Sequence, residues 1–339
     1  MSTHRPSVLR RLRILVFAAL TPTLFSCSLQ PSQVPQDDQV LELRGSSSSF
    51  AAPAYWRWFN GLAVRENINA DLSVMGSGDS IRQFLKNQVD FAGTDSAPTN
   101  HEIKSAKRGL LAFPVTAGAI AIAYNHPGCK LRLSRQQLVQ VFLGKLRDFA
   151  QLGCTPQSIS LLHREDASGS TANLTATLAS VSPAWKQGPG AGRLVRWPQG
   201  TGVRGSDGMV ERLLSTPGAI GYIEATYVRL PLQSAAIQNQ SGSFQMPTAA
   251  ASAEALGHLQ LDKNLFGGNP DPMRGYPIVS MNWMLVPRQG LGKHAEGLRT
   301  SLRYILSQAG QDDAEMLGYV PIPSSIRVRA LSNVSQIQK

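Results

Sequence analysis

Cysteine is scarce in this chain: three in 339 residues, with no CxxC pair, no HExxH and no cluster of Cys with His. Structural and catalytic zinc sites of the familiar spacings are thereby excluded. Charge is thin as well, at 16% of residues against the ~25% usual for soluble domains. The formal charge of +11 nevertheless contains no run of five or six Lys or Arg outside the first residues, and aromatics do not alternate with bases. A nucleic-acid surface needs both, so no nucleic-acid partner is expected. No G-x-S-x-G elbow and no internal repeat occurs. What is present is 42% hydrophobic residues with 30 Gly and 21 Pro. That composition excludes disorder, collagen and coiled coil, and the length gives room for about two domains rich in tight turns.

The first 26 residues read as a secretory signal. Arg5, Arg10, Arg11 and Arg13 form a basic start, and Ile14 to Phe25 is apolar but for Thr21, Pro22 and Thr23. Those twelve residues are too few to cross a bilayer as a helix. The segment closes on Leu24-Phe25-Ser26-Cys27, which resembles a bacterial lipobox with Cys27 as the acylated residue; ordinary cleavage near Ser26 or Ser28 is the alternative. Residues 27–39 are polar and Pro-containing, as a lipid-anchored tether would be. Export leaves Cys129 and Cys154 as an even remainder in an oxidising compartment, either disulfide-bonded or two buried thiols. Loss of the signal removes four arginines and no acidic residue, so the mature chain carries +7.

Short apolar segments alternate with amphipathic ones from residue 40 onward. Tyr55, Trp56, Phe59, Leu62 and Ala63 have helical spacing, Asp71 to Met75 reads as a strand, and Ile81, Phe84 and Leu85 mark a second helix before a Val89 to Gly93 strand. Ala117 to Tyr124, Ile159 to His163 and Ile278 to Val286 are further strands, and Ser134 caps a helix through Val141. Strands alternating with helices argue for an α/β fold with largely parallel sheets.

Three small-residue loops stand out, each placed between a strand and a helix: Gly45 to Phe50, Gly76 to Ser80 and Arg164 to Thr171. Such turns leave backbone N–H groups unpaired at the positive end of a helix, where an anion can approach. One such loop is ordinarily a Ser-capped helix start. Three, with Arg164 beside one, point to a single anion held from several sides.

These segments resemble the periplasmic phosphate-binding protein of the ABC phosphate transporter, the PstS-type solute-binding family. Leu43 to Phe59 resembles its GAGATF opening before a helix. Met75 to Thr99 (MGSGDSIRQFLKNQVDFAGTDSAPT) and Phe113 to Asn125 follow in the family's order. His163 to Thr171 (HREDASGST) resembles its RADGSGT loop, Trp185 to Tyr222 its long WP-x-G-x-G-x-x-G stretch, and Tyr276 to Val286 its late crossover strand. The resemblance spans nearly all of residues 40 to 330.

It implies a two-lobed periplasmic-binding-protein (type II) α/β fold with two crossover strands and a ligand cleft between the lobes. Lobe I would comprise residues 40–123 and 285–335, and lobe II residues 124–284. The implied phosphate ligands are Ser49, Phe50, Ser77 and Asp95 from lobe I, with Arg164, Ser168, Gly169 and Ser170 from lobe II. Asp166 would hold the Arg164 guanidinium. Hydroxyls, helix-end amides and a guanidinium fork suit the acceptor oxygens of phosphate. Asp95 would accept a hydrogen bond from the proton of hydrogen phosphate, which sulfate lacks at neutral pH.

The resemblance further implies no catalysis, no cofactor and no metal. The expected partners are inorganic phosphate, a membrane permease and a lipid anchor, in a monomer held in the periplasm or at the cell surface. Rival readings are a binding protein or sensor for another oxyanion, and a secreted phosphate-ester hydrolase using the same cleft. Ser49 and Ser170 stand where the family has Thr. Asp79 stands where it has a small residue, and could either cap the helix or repel the dianion. Gly200-Thr201-Gly202-Val203-Arg204-Gly205 fits GxGxxG but lacks the acidic partner of a dinucleotide site, and reads as a structural loop.

Overall fold

The computed structural model describes residues 40–257 and 259–339. The expected signal, tether and Cys27 lie outside the described residues.

The chain opens with β1 (Leu41–Ser48), α1 (Ala52–Glu66), β2 (Ile68–Met75), α2 (Ser77–Leu85), β3 (Phe91–Thr94) and α3 (Asn100–Ser105). In α1, Tyr55, Trp58, Phe59 and Leu62 fall at i, i+3, i+4 and i+7 and are buried. Pro53 sits in the first turn, where its missing N–H costs nothing. Trp56, expected on the apolar face, points outward at 47% exposure. Trp58 takes the buried place, and its indole N–H donates to the Gly310 carbonyl at 2.6 Å. Asn67 ends the helix in the left-handed conformation, its N–H on the Leu62 carbonyl. β1 pairs in parallel with β2 and β3. It runs through Ser48, so the first small-residue loop narrows to residues 49–51: burial between two strands overrides the weak strand preference of serine.

After β4 (Leu111–Tyr124) come β5 (Arg132–Leu133), α4 (Arg135–Phe142), β6 (Ser160–Arg164), α5 (Gly169–Val181), α6 (Pro183–Gln187), β7 (Thr201–Val203), α7 (Gly205–Ser215) and β8 (Ala219–Glu224). Ser134 caps α4 in a reciprocal box with Gln137, as its sequence indicates. The chain continues through β9 (Gln233–Ser234), β10 (Ala236–Gln238), β11 (Phe244–Gln245), α8 (Ala249–Leu256), β12 (Val279–Val286), α9 (His294–Ile305), α10 (Gln308–Glu315) and α11 (Ser324–Asn333).

Every residue of β4 is buried, which explains its continuous apolar run. Leu111 to Ala119 pair antiparallel with β12, whereas Ile120 to Tyr124 pair antiparallel with β8. One strand thus serves two sheets, ordered β2-β1-β3-β12-β4 and β4-β8-β6-β7. These sheets are the cores of two lobes. The partner change between Ala119 and Ile120, and the pairing of all of β12 with β3 and β4, put the crossover points a few residues ahead of the boundaries expected at 123 and 284. An unbroken apolar strand carries no sequence mark of where its neighbour changes. Cys129 and Cys154 are joined, with Cα atoms 5.4 Å apart.

Trp58 is fully buried, packs edge-on against Tyr55 and ties α1 to α10. Trp58→Ala should lower the unfolding free energy by about 3–5 kcal/mol, read from urea titration followed by circular dichroism.

Candidate functional site

The three small-residue segments meet where the two lobes touch. Ser49 and Phe50 leave the end of β1, Ser77 opens α2, Asp95 follows β3, and Arg164 to Ser170 lead from β6 into α5. Contacts between the lobes are close: the Gly78 N–H donates to the Ala167 carbonyl at 2.8 Å. The Asn173 amide donates to the Asp95 carbonyl at 2.8 Å, and the Arg193 guanidinium to Glu102 at 2.6 Å. Gly169 is required by this closeness, since a Cβ there would lie 2.5 Å from Ser77 Oγ and 2.7 Å from Asp95 Cβ.

Asp95 is buried and surrounded by donors. Ser48 Oγ and Asn282 Nδ2 each reach Oδ1 at 2.7 Å, and Ser77 Oγ reaches Oδ2 at 3.1 Å. Burial pushes its pKa up to about 6, while those three hydrogen bonds and the charge of Arg164 pull the other way. The carboxylate is therefore ionised at neutral pH.

Arg164 is 3% exposed and gripped by Asp166 in a fork, Nε to Oδ1 at 2.6 Å and Nη2 to Oδ2 at 2.5 Å. The guanidinium holds the Asp166 carboxyl below its ordinary range despite burial. Nη1 and one Nη2 hydrogen stay outside the fork. Ser168 caps α5, its Oγ accepting from the Thr171 N–H at 3.3 Å, so that hydroxyl works within the helix end. The Ser170 hydroxyl and the Phe50 N–H take no hydrogen-bond partner among the described residues. The Ser49 N–H, in contrast, donates to Met75. Asp79 pairs with Arg82 on the outer face of α2, which favours its reading as a helix-end residue.

Several residues here escape sequence reasoning. The Ser206 N–H and hydroxyl reach Ser49 Oγ at 3.2 and 3.0 Å, and the Gly205 N–H reaches Asp166 at 3.3 Å. The GxGxxG run is thus more than a structural loop: Thr201 to Val203 form β7, parallel to β6, and the last glycine starts α7 at the cluster. Tyr222 accepts the Arg164 N–H at 2.9 Å and bonds Thr171 at 2.6 Å. Tyr227 donates to the Ser49 carbonyl at 2.8 Å and Tyr319 to the Phe50 carbonyl at 2.6 Å. The Ser49 carbonyl and the Phe50 N–H share one planar peptide unit and point oppositely, so pinning the first aims the second. His163, near Ser168 in sequence, stacks instead on Trp197 at 5.0 Å.

A family profile described as "PBP superfamily domain" matches residues 32–309. The phosphate-binding protein PstS of Xylella fastidiosa is 30% identical over 319 residues, covering 88% of this chain and 86% of its own. That of Haemophilus influenzae is 29% identical, covering 85% and 91%. Among solved structures, a high affinity periplasmic phosphate-binding protein bound with phosphate (PfluDING) superposes with a TM-score of 0.72 at 19% identity, over 88% of this chain and 99% of its own. A putative phosphate ABC transporter substrate-binding protein with bound phosphate, from Clostridium perfringens, gives 0.66 at 14%, over 83% and 100%. These structures share the two-lobed fold.

Asp95 titrates higher in the folded protein than its ordinary 3.8, so its contribution to stability is complete below that value and is lost as pH rises through about 6. Asp95→Asn removes the effect. Between pH 4 and pH 7 the wild type should lose about 2 kcal/mol of unfolding free energy relative to the variant, measured by urea titration at both pH values.

Proposed function

The chain belongs to the PBP superfamily, and from that premise we propose that it binds inorganic phosphate outside the cytoplasmic membrane and delivers it to the permease of an ABC phosphate importer. The observation that carries this reading is the meeting of buried Arg164 and buried Asp95, from opposite lobes, at the N-termini of α2 and α5.

The free donors have distinct roles. Arg164, its plane fixed by Asp166, offers Nη1 and one Nη2 hydrogen to two phosphate oxygens. The Phe50 N–H and the Ser170 hydroxyl supply neutral donors, and the first-turn amides of α5 from Gly169 add the helix dipole. Ser49 Oγ accepts from Ser206, which leaves its own hydrogen for the ligand. Ser77 and Ser168 hold Asp95 and the α5 cap in place, so their part is chiefly to shape the site.

Asp95 selects the ligand. As a carboxylate it accepts the proton of hydrogen phosphate, whereas sulfate would leave two acceptors facing each other without a hydrogen between them. Ligand between the lobes holds them together, and the closed shape is what a permease can read. Acylation of Cys27 would keep the protein at the membrane beside that permease. On this reading the protein works as a monomer, uses no metal and catalyses no reaction.

Calorimetry on protein refolded free of phosphate tests the proposal. Phosphate should bind tightly with no heat from sulfate; equal affinity for the two would overturn the role given to Asp95. Arg164→Ala should weaken phosphate binding at least about 100-fold, since it removes charge-assisted bonds to a buried anion. Normal binding by that variant would remove Arg164 from the site, and turnover of a phosphomonoester would favour the hydrolase.

A further inference from the structure

Glu224 ends β8 opposite Ile120, at the point where β4 changes sheets. It is 1% exposed, and its Oε1 is buried without a hydrogen-bond partner. That oxygen faces Gly118, on the lobe I side of the partner change, where a Cβ would lie 2.7 Å from Oε1 and 3.3 Å from the Phe50 ring. Glycine is what lets a carboxyl from lobe II lie against lobe I. The other oxygen, Oε2, accepts from the Thr226 N–H at 2.6 Å and from the Thr226 hydroxyl. These bonds hold the turn Ala225–Tyr227 that carries Tyr227 onto the Ser49 carbonyl.

We propose that Glu224 is a positioning residue for ligand capture: as the lobes close, its carboxyl takes a proton from solvent, seats neutral against Gly118 and Phe50, and fixes the turn through which Tyr227 aims the Phe50 N–H at the anion. The inference rests on the phosphate reading above. An ionised carboxylate buried with an orphan oxygen is costly, and neutralisation is the cheaper state. The groups acting on Glu224 agree: Asp95 repels the ionised form, and the facing phenols of Tyr227 and Tyr319 are both held neutral by burial. Arg164 and Asp207 reach this cluster through Tyr227. Burial pushes the Glu224 pKa up to about 8 in this closed arrangement, from an ordinary 4.5 that water access in an open cleft would restore.

The sign follows from that pair of values. Between about 4.5 and about 8 the closed form holds a proton that the open form lacks, so closing takes one up and opening releases it. Phosphate affinity should therefore gain from Glu224 at low pH, lose that gain as pH rises across this window, and level off above it.

The test is calorimetry of inorganic phosphate on the full chain at pH 7, in two buffers of different ionisation enthalpy, which counts protons per binding event. The wild type should take up close to one proton more than Glu224→Gln. The ratio of wild-type to variant affinity should fall by up to tenfold per pH unit between pH 6 and pH 8, as one linked proton requires. Protons bound by the phosphate itself cancel in this comparison. Thr226→Val, which removes a donor to the carboxylate, gives a second reading and should move the upper end of the window to higher pH. Phosphate binding with equal proton counts, or an unmoved profile in Thr226→Val, overturns the role of Glu224 alone. Absence of phosphate binding by the wild type overturns the functional reading and this inference with it.

Discussion

The fork between Arg164 and Asp166 is the interaction on which the candidate site depends. Two opposite charges are taken out of water at 3% side-chain exposure each, a step that costs several kcal/mol per ion unless geometry and further hydrogen bonds offset it. Both conditions are met: the pairing is bidentate, and the Gly205 N–H adds a donor to the carboxylate. The arrangement also sets the electrical character of the cleft. Asp166 already balances the one guanidinium at the centre, and Asp95 adds an uncompensated negative charge. Attraction by net charge therefore cannot hold an anion here. Oriented dipoles must do so, in the form of helix ends, hydroxyls and a pinned peptide plane, and these discriminate by geometry and proton count more sharply than a cationic pocket would.

The surface tells the same story about the basic balance of the chain. Several arginines on the body are paired with acids: Arg57 with Asp313, Arg135 with Asp271, Arg193 with Glu102, and both Arg299 and Arg303 with Glu296. Each such pair cancels its own charge, so the excess rests on bases outside them, and an exposed pair such as Arg303 with Glu296 adds little stability.

How much of this could be read in the sequence depends on whether a contact is local. Ser49, Ser77 and Arg164 lie in strand-to-helix turns whose Gly and Ser content marks them, whereas Asp95 was pointed to only by the family resemblance. Ser206, Tyr227, Asn282 and Tyr319 were not legible, because each reaches the site from a segment far along the chain and carries no local mark of its destination. The GxGxxG run misled in a different way. Its glycines read as a structural loop, but the helix that the last of them begins contributes Ser206. Four consecutive serines looked like a loop and are largely strand, since the neighbours of β1 and not its own side chains decide its conformation.

The order β2-β1-β3-β12-β4 has a consequence for how the protein comes into being. β3 and β4 are close in sequence but do not pair; β12, which arrives more than 150 residues later, is inserted antiparallel between them. The first sheet thus remains in two pieces until Val279 to Val286 are available, and contacts of such sequence separation form slowly. The N-terminal half of the chain is the last to be completed. This topology delays stable structure in the first lobe until nearly the whole polypeptide has been made.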